Sequence, residues 1–280
     1  MSKPVGNPAS VPLWEMLPHN GPTAPILTNY GPGMRGGAPG ALAMYPPAIE
    51  DNPMASTNST VSGVALDRSE LEHHLAQDRR QFEQCTFDDE DLSRLDLQGC
   101  TFDRCTFGGA NLFAAKLART VWQRCRAGGA DFESVDAVDA RFDSCDLNNT
   151  KWRRAKLASV SYRGCKLTGA SFEEVAHLGL LFEESLLVGA DLRGFSFKKA
   201  SLKALDFSDA YLAGCDFRDA VFEGGSLRNA TLKLAKFQGA DLRGADIEGL
   251  KLSDAAVFKG AVISHAQAAS FLRALDFVVI

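Results

Sequence analysis

Residues 102–117 read Phe-Asp-Arg-Cys-Thr-Phe-Gly-Gly-Ala-Asn-Leu-Phe-Ala-Ala-Lys-Leu, with a large apolar side chain at every fifth position. The same spacing runs from Phe82 to Val257 without an insertion or deletion. Three members of the series are not large and apolar: Ala127, Ala137 and His177. A period of five matches neither the helical period of about 3.6 nor the strand period of two, so it indicates a repeat architecture.

A second inward series, of small residues, precedes the large one by two positions. Written as small–polar–large–x–x, the repeat contains Ala-Asn-Leu at 110–112, Ala-Asp-Phe at 130–132 and Ala-Asp-Leu at 190–192 and 240–242. This pattern resembles the pentapeptide-repeat family, whose motif is A(D/N)LXX. The resemblance implies an all-β fold, a right-handed quadrilateral parallel β-helix with four pentads per coil. The 36 pentads then give about nine coils, with a short N-terminal capping helix and a C-terminal helix.

Composition divides the chain into four segments. All 11 prolines lie between Pro4 and Pro53, which predicts an extended or disordered arm over residues 1–60 because proline and glycine oppose a packed core. Residues 61–80 are assigned to an N-terminal capping helix, residues 81–260 to the β-helix, and residues 261–280 to a C-terminal helix and strand.

The N-terminal helix is predicted from about Arg68 to Arg80, beginning with a capping box of Ser69 and Glu72. Such a helix would cover the first coil, whose open end presents unpaired backbone groups and bare core side chains.

Residues 261–280 leave the repeat pattern and predict an apolar helix face followed by a strand-like end. The pair Gln267-Ala268 makes this tail similar to the Qnr and MfpA branch of the pentapeptide-repeat family. That similarity implies a homodimer joined tail to tail, and simple capping of the last coil is the alternative. The dimer contacts it implies are Ala268, Phe271, Leu272, Leu275, Phe277 and Val279.

Composition also limits the classes of function. The formal net charge is −5, so a basic stripe that neutralises phosphates is not expected and direct nucleic-acid binding is disfavoured. The sequence contains no apolar run of about 18 residues, so no membrane span is predicted, and it shows no secretory-signal pattern. Seven cysteines without paired spacing fit a reducing compartment, and the expected location is the cytoplasm.

No residue pattern predicts catalysis, a metal site or a cofactor. All seven cysteines stand at the inward small position, and those at 85, 105, 125, 145 and 165 are 20 residues apart. Because a buried free cysteine behaves as a small apolar residue, these thiols are interpreted as core packing. His177 takes a large inward position and lacks a Ser, Cys or carboxylate partner placed to orient it as a base. We therefore expect a protein that is not an enzyme.

Two regions are candidates for contact with a partner protein. Several apolar residues stand at positions predicted to face solvent, while Leu180 and Phe195 overfill small corners of the repeat. The arm carries aromatic residues of the types that dominate binding energy. Two alternatives stay open: a local bulge that turns the apolar residues inward, or the arm folding back over them. The predicted partner-binding residues are Trp14, Tyr30, Tyr45, Leu178, Leu181, Leu186 and Val188.

The function expected from these features is that of a protein-binding scaffold or adaptor. One alternative is a DNA-mimicking modulator of a type II topoisomerase such as gyrase, which the similarity to Qnr and MfpA implies. Residues 81–260 carry 27 Asp and Glu against 24 Lys and Arg, a net charge of −3, which lowers that expectation because a duplex mimic needs a strong negative potential. The other alternative is an accessory or cargo protein of a bacterial secretion system.

Overall fold

The structure is a computed structural model that describes residues 60–249, 252–273 and 277–279. The predicted arm, with Trp14, Tyr30 and Tyr45, lies outside the described residues, and so does Leu275.

Nine short strands mark one side of a rod. They are β1 (Val61–Ser62), β2 (Gln81–Glu83), β3 (Thr101–Asp103), β4 (Val121–Gln123), β5 (Arg141–Asp143), β6 (Ser161–Arg163), β7 (Leu181–Glu183), β8 (Ser201–Lys203) and β9 (Val221–Glu223). Strands β1 to β7 form one parallel sheet in sequence order, and β8 pairs with β9 in a second. Within each of these sheets, from β2 onward, equivalent residues pair one coil apart, as Phe82 does with Phe102.

The other three sides are joined by parallel bridges with the same spacing, such as Thr86 with Thr106, Asp91 with Asn111 and Asp96 with Lys116. Each coil therefore has four sides, and each pentad forms one of them. The result is a parallel β-solenoid of about eight turns, as the pentapeptide spacing predicted for the fold class.

The expected ninth coil is replaced at the C-terminal end. A 3-10 helix spans Leu252–Phe258 in place of two pentads. The amide of Phe217 donates to the carbonyl of Lys236, whereas the amide of Phe237 donates to the carbonyl of Val257, one residue further along the next coil. This extra residue breaks the register that the unbroken sequence period predicted, and regular coils end before it.

The large residues form the core and stack from coil to coil. Ring centroids of Phe132 and Trp152 lie 4.2 Å apart with an interplanar angle of 5°, and those of Phe142 and Tyr162 lie 4.9 Å apart. Every one of these four side chains is buried. Full burial of a side chain of this size stabilises a fold by roughly 1.5–3 kcal/mol, so the columns supply much of the free energy that holds the rod together.

A helix, α1 (Arg68–Ala76), lies against the N-terminal end of the rod. Its N-cap is Asp67, which accepts from the Glu70 amide while the Glu70 side chain accepts from the Asp67 amide, so the predicted box of Ser69 and Glu72 was wrong by two residues. Asp67 is the N-cap because its carboxylate accepts a hydrogen bond of 2.8 Å from the Glu70 amide in the first turn. Leu71 is buried, and the Arg68 guanidinium donates to the carbonyl of Asp91.

A second helix, α2 (His265–Arg273), closes the opposite end. Gln267 donates from Nε2 to the carbonyls of Leu242 and Ala245, each at 2.8 Å. Its Oε1 accepts from the Ser264 amide, and Ser264 Oγ accepts from the Gln267 amide. The side chain thus caps the last regular coil and the helix at the same time.

Candidate functional site

The backbone ladder is interrupted along two adjacent sides of the rod. Within the described coils, β7 does not pair with β8, and Ala176 bridges Lys156 but not Ser196. The amide of Leu157 donates to the carbonyl of Ala176, and that of Phe197 donates to Asp216, yet no equivalent bond joins His177 to Ser196. We call this interruption the seam, formed by the edge of residues 174–182 and the facing edge of residues 193–201.

The seam has the shape of a wedge. On the two remaining sides the same coils stay paired, through Ser171 with Asp191 and Leu186 with Asp206. Neighbouring backbones are about 4.8 Å apart where strands pair, so the coils converge on those sides and diverge at the corner near Leu178.

An oversized corner residue causes the divergence. The small corner position holds Val135, Ala155 and Cys215 in other coils but Phe195 in this one. The Phe195 ring is buried and stacks on the His177 ring at 4.3 Å and 11°. A ring inserted between two coils needs more room than one strand spacing leaves, so the backbone bonds at this corner are lost.

His177 is a packing residue at the seam. It is half-buried, and its Nδ1 lies 3.2 Å from the Val175 carbonyl. The ring therefore combines a local hydrogen bond with the stack on Phe195, and within the described residues no nucleophile or carboxylate contacts it.

The predicted apolar contact residues lie near the seam, but they do not form one flat patch. Leu178 is 86% exposed at the diverging corner, and Leu181 is 40% exposed on β7. Leu186 is 41% exposed on the following side of the rod, and Val188, at the end of that side, is half-buried. They fall on different sides because the chain turns a corner after each pentad, so Leu178 and Leu181 share the seam while Leu186 and Val188 flank its paired side.

The facing edge of the seam carries positive charge. Lys198 and Lys199 are exposed next to the diverging corner, and neither forms an ion pair with another described residue. In contrast, Arg193 pairs with Glu173 at 3.0 Å and Lys203 lies 3.7 Å from Glu183, so these cations are already partnered across the coils.

Elsewhere on the rod, opposite charges neutralise one another. Lys116 contacts Asp96 at 3.3 Å, and Lys156 contacts Asp136 at 3.2 Å, each pair one coil apart on the same side. A second pattern places Arg two residues after Asp: the Arg218 guanidinium lies 2.6 Å from Asp216 and holds the pKa of that carboxyl at about 2. Carboxylates paired in this way contribute little to a negative surface potential.

The cysteines lie in the core, as their inward position predicted. All seven are free and buried. The thiols of the column donate to carbonyls, for example Cys165 to Phe142 at 3.2 Å, and Ser185 takes the next place in the column. Burial raises the pKa of Cys100 to about 11 and that of Cys215 to about 12, so these thiols stay protonated and unreactive at neutral pH.

The predicted dimer contacts divide between the rod end and solvent. Phe271 is half-buried and packs against the core, and Ala268 and Val279 are also half-buried. Leu272 and Phe277 are exposed. A groove of about 550 Å³ runs between residues 245–249 and α2, with Gln267 and Phe271 in its lining.

No helix in the described part of the chain is long and apolar enough to cross a membrane. Clusters of three or more His, Cys, Asp or Glu suited to a metal ion are absent from the same part.

Comparison with known proteins identifies the repeat. A family described as "Pentapeptide repeat region" matches residues 78–152, and one described as "Pentapeptide repeats (8 copies)" matches residues 138–174 and 215–254. The stretch between these two matches, residues 175–214, contains the seam and the regular pentads that follow it. No curated protein matches the chain.

Among solved structures, a trypsin-treated variant of QnrB1, described as a plasmid-mediated fluoroquinolone resistance protein, is similar with a TM-score of 0.54 and 20% identity. The likeness covers 71% of this chain and 99% of that one. Full-length QnrB1 gives a TM-score of 0.50 at 21% identity, over 78% of this chain and 97% of that one. At this identity the likeness shows the shared fold.

Proposed function

The chain belongs to the pentapeptide-repeat family, and we propose that it is a non-enzymatic scaffold or adaptor that binds a protein partner through its side wall and its N-terminal arm. The observation that carries this proposal is the seam with its exposed leucines. Leu178 and Leu181 present apolar surface next to unpaired backbone, whereas other exposed apolar residues such as Leu234 stand on regular coils, and an apolar area set among polar residues is typical of a contact surface. The arm supplies Trp14, Tyr30 and Tyr45 as candidate anchors.

The wall is tested by pull-down of partners from a lysate of the source cells, with quantitative mass spectrometry. Leu181→Ser combined with Leu186→Ser should reduce recovery of the main partner about tenfold or more, since the loss of apolar contact costs over 1.4 kcal/mol. Leu234→Ser is the matched control, because Leu234 is also an exposed leucine but lies away from the seam. Equal recovery by the double variant and the control would contradict a role of the wall.

The arm is tested separately by deleting residues 1–59. We expect unchanged circular dichroism, because no described coil is removed, together with loss of the partner. If the deleted protein and the double leucine variant both bind as well as wild type, the contact surface lies on the charged sides of the rod.

A topoisomerase modulator is the second candidate function. It is favoured by the fold shared with QnrB1, a fluoroquinolone resistance protein, and by the Gln267-Ala268 tail. The paired charges of the wall weigh against it, because neutralised carboxylates do not imitate the potential of DNA. Purified gyrase should lose or change its supercoiling activity at micromolar protein if this function is right, and unchanged supercoiling would exclude it. The secretion-system role and the cytoplasmic location stay predictions.

We also propose that two copies join through α2 and the exposed tail. Leu272 and Phe277 are exposed apolar residues on that end, and Val278 beside them is exposed as well.

A further inference from the structure

We propose that the seam is a strand-insertion site, which takes up an extended segment of a partner protein that carries apolar side chains next to carboxylates. This inference rests on the proposed function, which assigns partner binding to this wall, and it adds the mode of recognition and the chemistry of the partner. A regular solenoid pairs the backbone of every internal coil with its neighbours. An unpaired edge in mid-rod departs from this rule, and it leaves backbone groups that another strand could bind.

Both edges of the seam offer backbone groups that a strand could pair with. One coil earlier, the equivalent amides donate to the next coil: those of Arg154, Leu157 and Ser159, which correspond to Glu174, His177 and Gly179 in that order. At the seam these three amides lack such bonds, and across the wedge the amides of Ser196 and Ser201 lack theirs. Both edges are parallel-sheet edges that already pair on their other side, so each is preformed to receive a strand.

Apolar side chains surround the opening of the seam. Leu178, 86% exposed, stands at the widest point, and Leu181 is exposed on the adjoining strand. An inserted strand would cover both leucines with its own apolar side chains. The Phe195 ring fills the inner end of the wedge, so a strand at the rim would pack against aromatic surface instead of opening a cavity.

The rim of the seam carries positive charge that a partner segment could complement. Lys198 and Lys199 lie on the rim without an ion-pair partner among the described residues, while the neighbouring Arg193 and Lys203 are paired. A strand passing this rim gains most if carboxylates face the two lysines, because opposite charges across an interface favour the correct partner and register. The partner segment is therefore apolar and acidic.

The test uses the full chain and a phage-displayed library of random peptides about 12 residues long, long enough to cover either edge of the seam. Peptides are selected on the immobilised protein, and their Kd values are measured by fluorescence anisotropy. Hydrogen exchange with mass spectrometry follows the amides of residues 174–182 and 193–201. We expect fast exchange there in the free protein, slowing at least tenfold with peptide, and peptides enriched in Asp, Glu and branched apolar residues.

Two kinds of variant separate strand insertion from simple stickiness. Phe195→Ala restores the small corner that Ala155 and Ala235 occupy, so it should let the coils pair, slow exchange in the free protein and weaken peptide binding at least tenfold. Lys198→Glu with Lys199→Glu should weaken it similarly without touching the core. Lys233→Glu with Lys236→Glu is the control of equal charge on other exposed lysines, and it should bind like wild type.

Several results would overturn the proposal. Slow exchange of the seam amides in the free protein would mean that the wedge is already closed, and selected peptides that protect other residues would place binding elsewhere. If peptides still bind with unchanged Kd after both the Phe195 and the lysine changes, the binding site also lies elsewhere. If peptides fail at the seam while Leu181→Ser with Leu186→Ser still lowers partner recovery, the proposed function stands and strand insertion alone is wrong.

Discussion

Thr120 and Thr150 are buried polar residues in small corners of the repeat, each two residues before a tryptophan. The Trp152 indole donates to Thr150 Oγ1 at 2.9 Å, and Thr150 Oγ1 donates to the Leu147 carbonyl at 2.7 Å. The same arrangement serves Trp122. A tryptophan fits the axis only because a hydroxyl in the neighbouring corner satisfies its N–H, so the Thr-x-Trp spacing is a signal that can be read in the sequence.

Thr150→Val should lower the free energy of unfolding by about 1–3 kcal/mol, since it leaves the buried indole N–H of Trp152 without an acceptor while keeping the side-chain shape. Thr150→Ser keeps the hydroxyl and should cost clearly less. Urea denaturation followed by circular dichroism gives the comparison. Equal stability of the valine and serine variants would show that the hydrogen bond is not what the threonine contributes.

Tyr162 presents the opposite case. It stands in the column between Phe142 and Phe182, fully buried, and its hydroxyl has no hydrogen-bond partner among the residues that the structure describes. Burial raises the pKa of this phenol well above its usual value, so it remains protonated. Tyr162→Phe should stabilise the protein by roughly 1 kcal/mol, because it removes an unsatisfied polar group and retains the stack. A less stable phenylalanine variant in the same urea assay would mean that the hydroxyl does have a partner.

Among the elements, α2 caps the rod, and it is also the element on which the proposed dimer contact lies. Gln267 and Phe271 face the rod and cap it, whereas Leu272 and Phe277 face solvent. A helical pattern gives the apolar face but not the direction in which each residue of that face points. A test of dimerisation on Phe271 would therefore also disturb the cap.

Leu272→Asp with Phe277→Asp should convert a dimer to a monomer, because burying two charges in an apolar contact costs several kcal/mol. Light scattering at tens of micromolar protein measures the change. Unchanged thermal unfolding of the rod is the control that the cap is intact. A wild type that is already monomeric at that concentration would leave α2 with the capping role alone.

Some features of these elements can be predicted from the sequence, and others depend on strand spacing that the sequence pattern does not give. The column positions and the buried cysteines follow from the period of five, since each pentad has one large and one small inward residue, whereas the four sides of a coil were implied by the family resemblance. Leu180 and Phe195 were identified as too large for their corners, but the loss of the ladder between β7 and β8 depends on strand spacing, which no pattern encodes. The extra residue before Val257 could not be predicted, because Ile247, Leu252 and Val257 continue the spacing of five in the sequence while the backbone there forms a 3-10 helix.

At the scale of the whole molecule, the seam divides the rod into two stacks of coils. In a solenoid each coil contacts only its neighbours, so stability is approximately a sum of coil terms and interface terms. The interface at the seam lacks ladder bonds along the side of residues 174–179, and on the side of β7 and β8 it keeps the bond from the Glu184 amide to the Lys203 carbonyl but no strand pairing. Coupling between the coils before Ala190 and those after it is therefore weaker than anywhere else in the regular repeat.

Phe217→Ala should accordingly unfold the C-terminal stack without unfolding the N-terminal one. The ring stacks on Phe197 at 5.0 Å and on Phe237 at 4.8 Å, and its truncation should cost about 3–5 kcal/mol within the stack that holds it. Hydrogen exchange should then accelerate across residues 201–240 while residues 81–160 keep their protection. Phe107→Ala is the matched control in the other stack and should give the reverse pattern. If either variant accelerates exchange equally along the whole rod, the two stacks fold as one unit and the seam does not uncouple them.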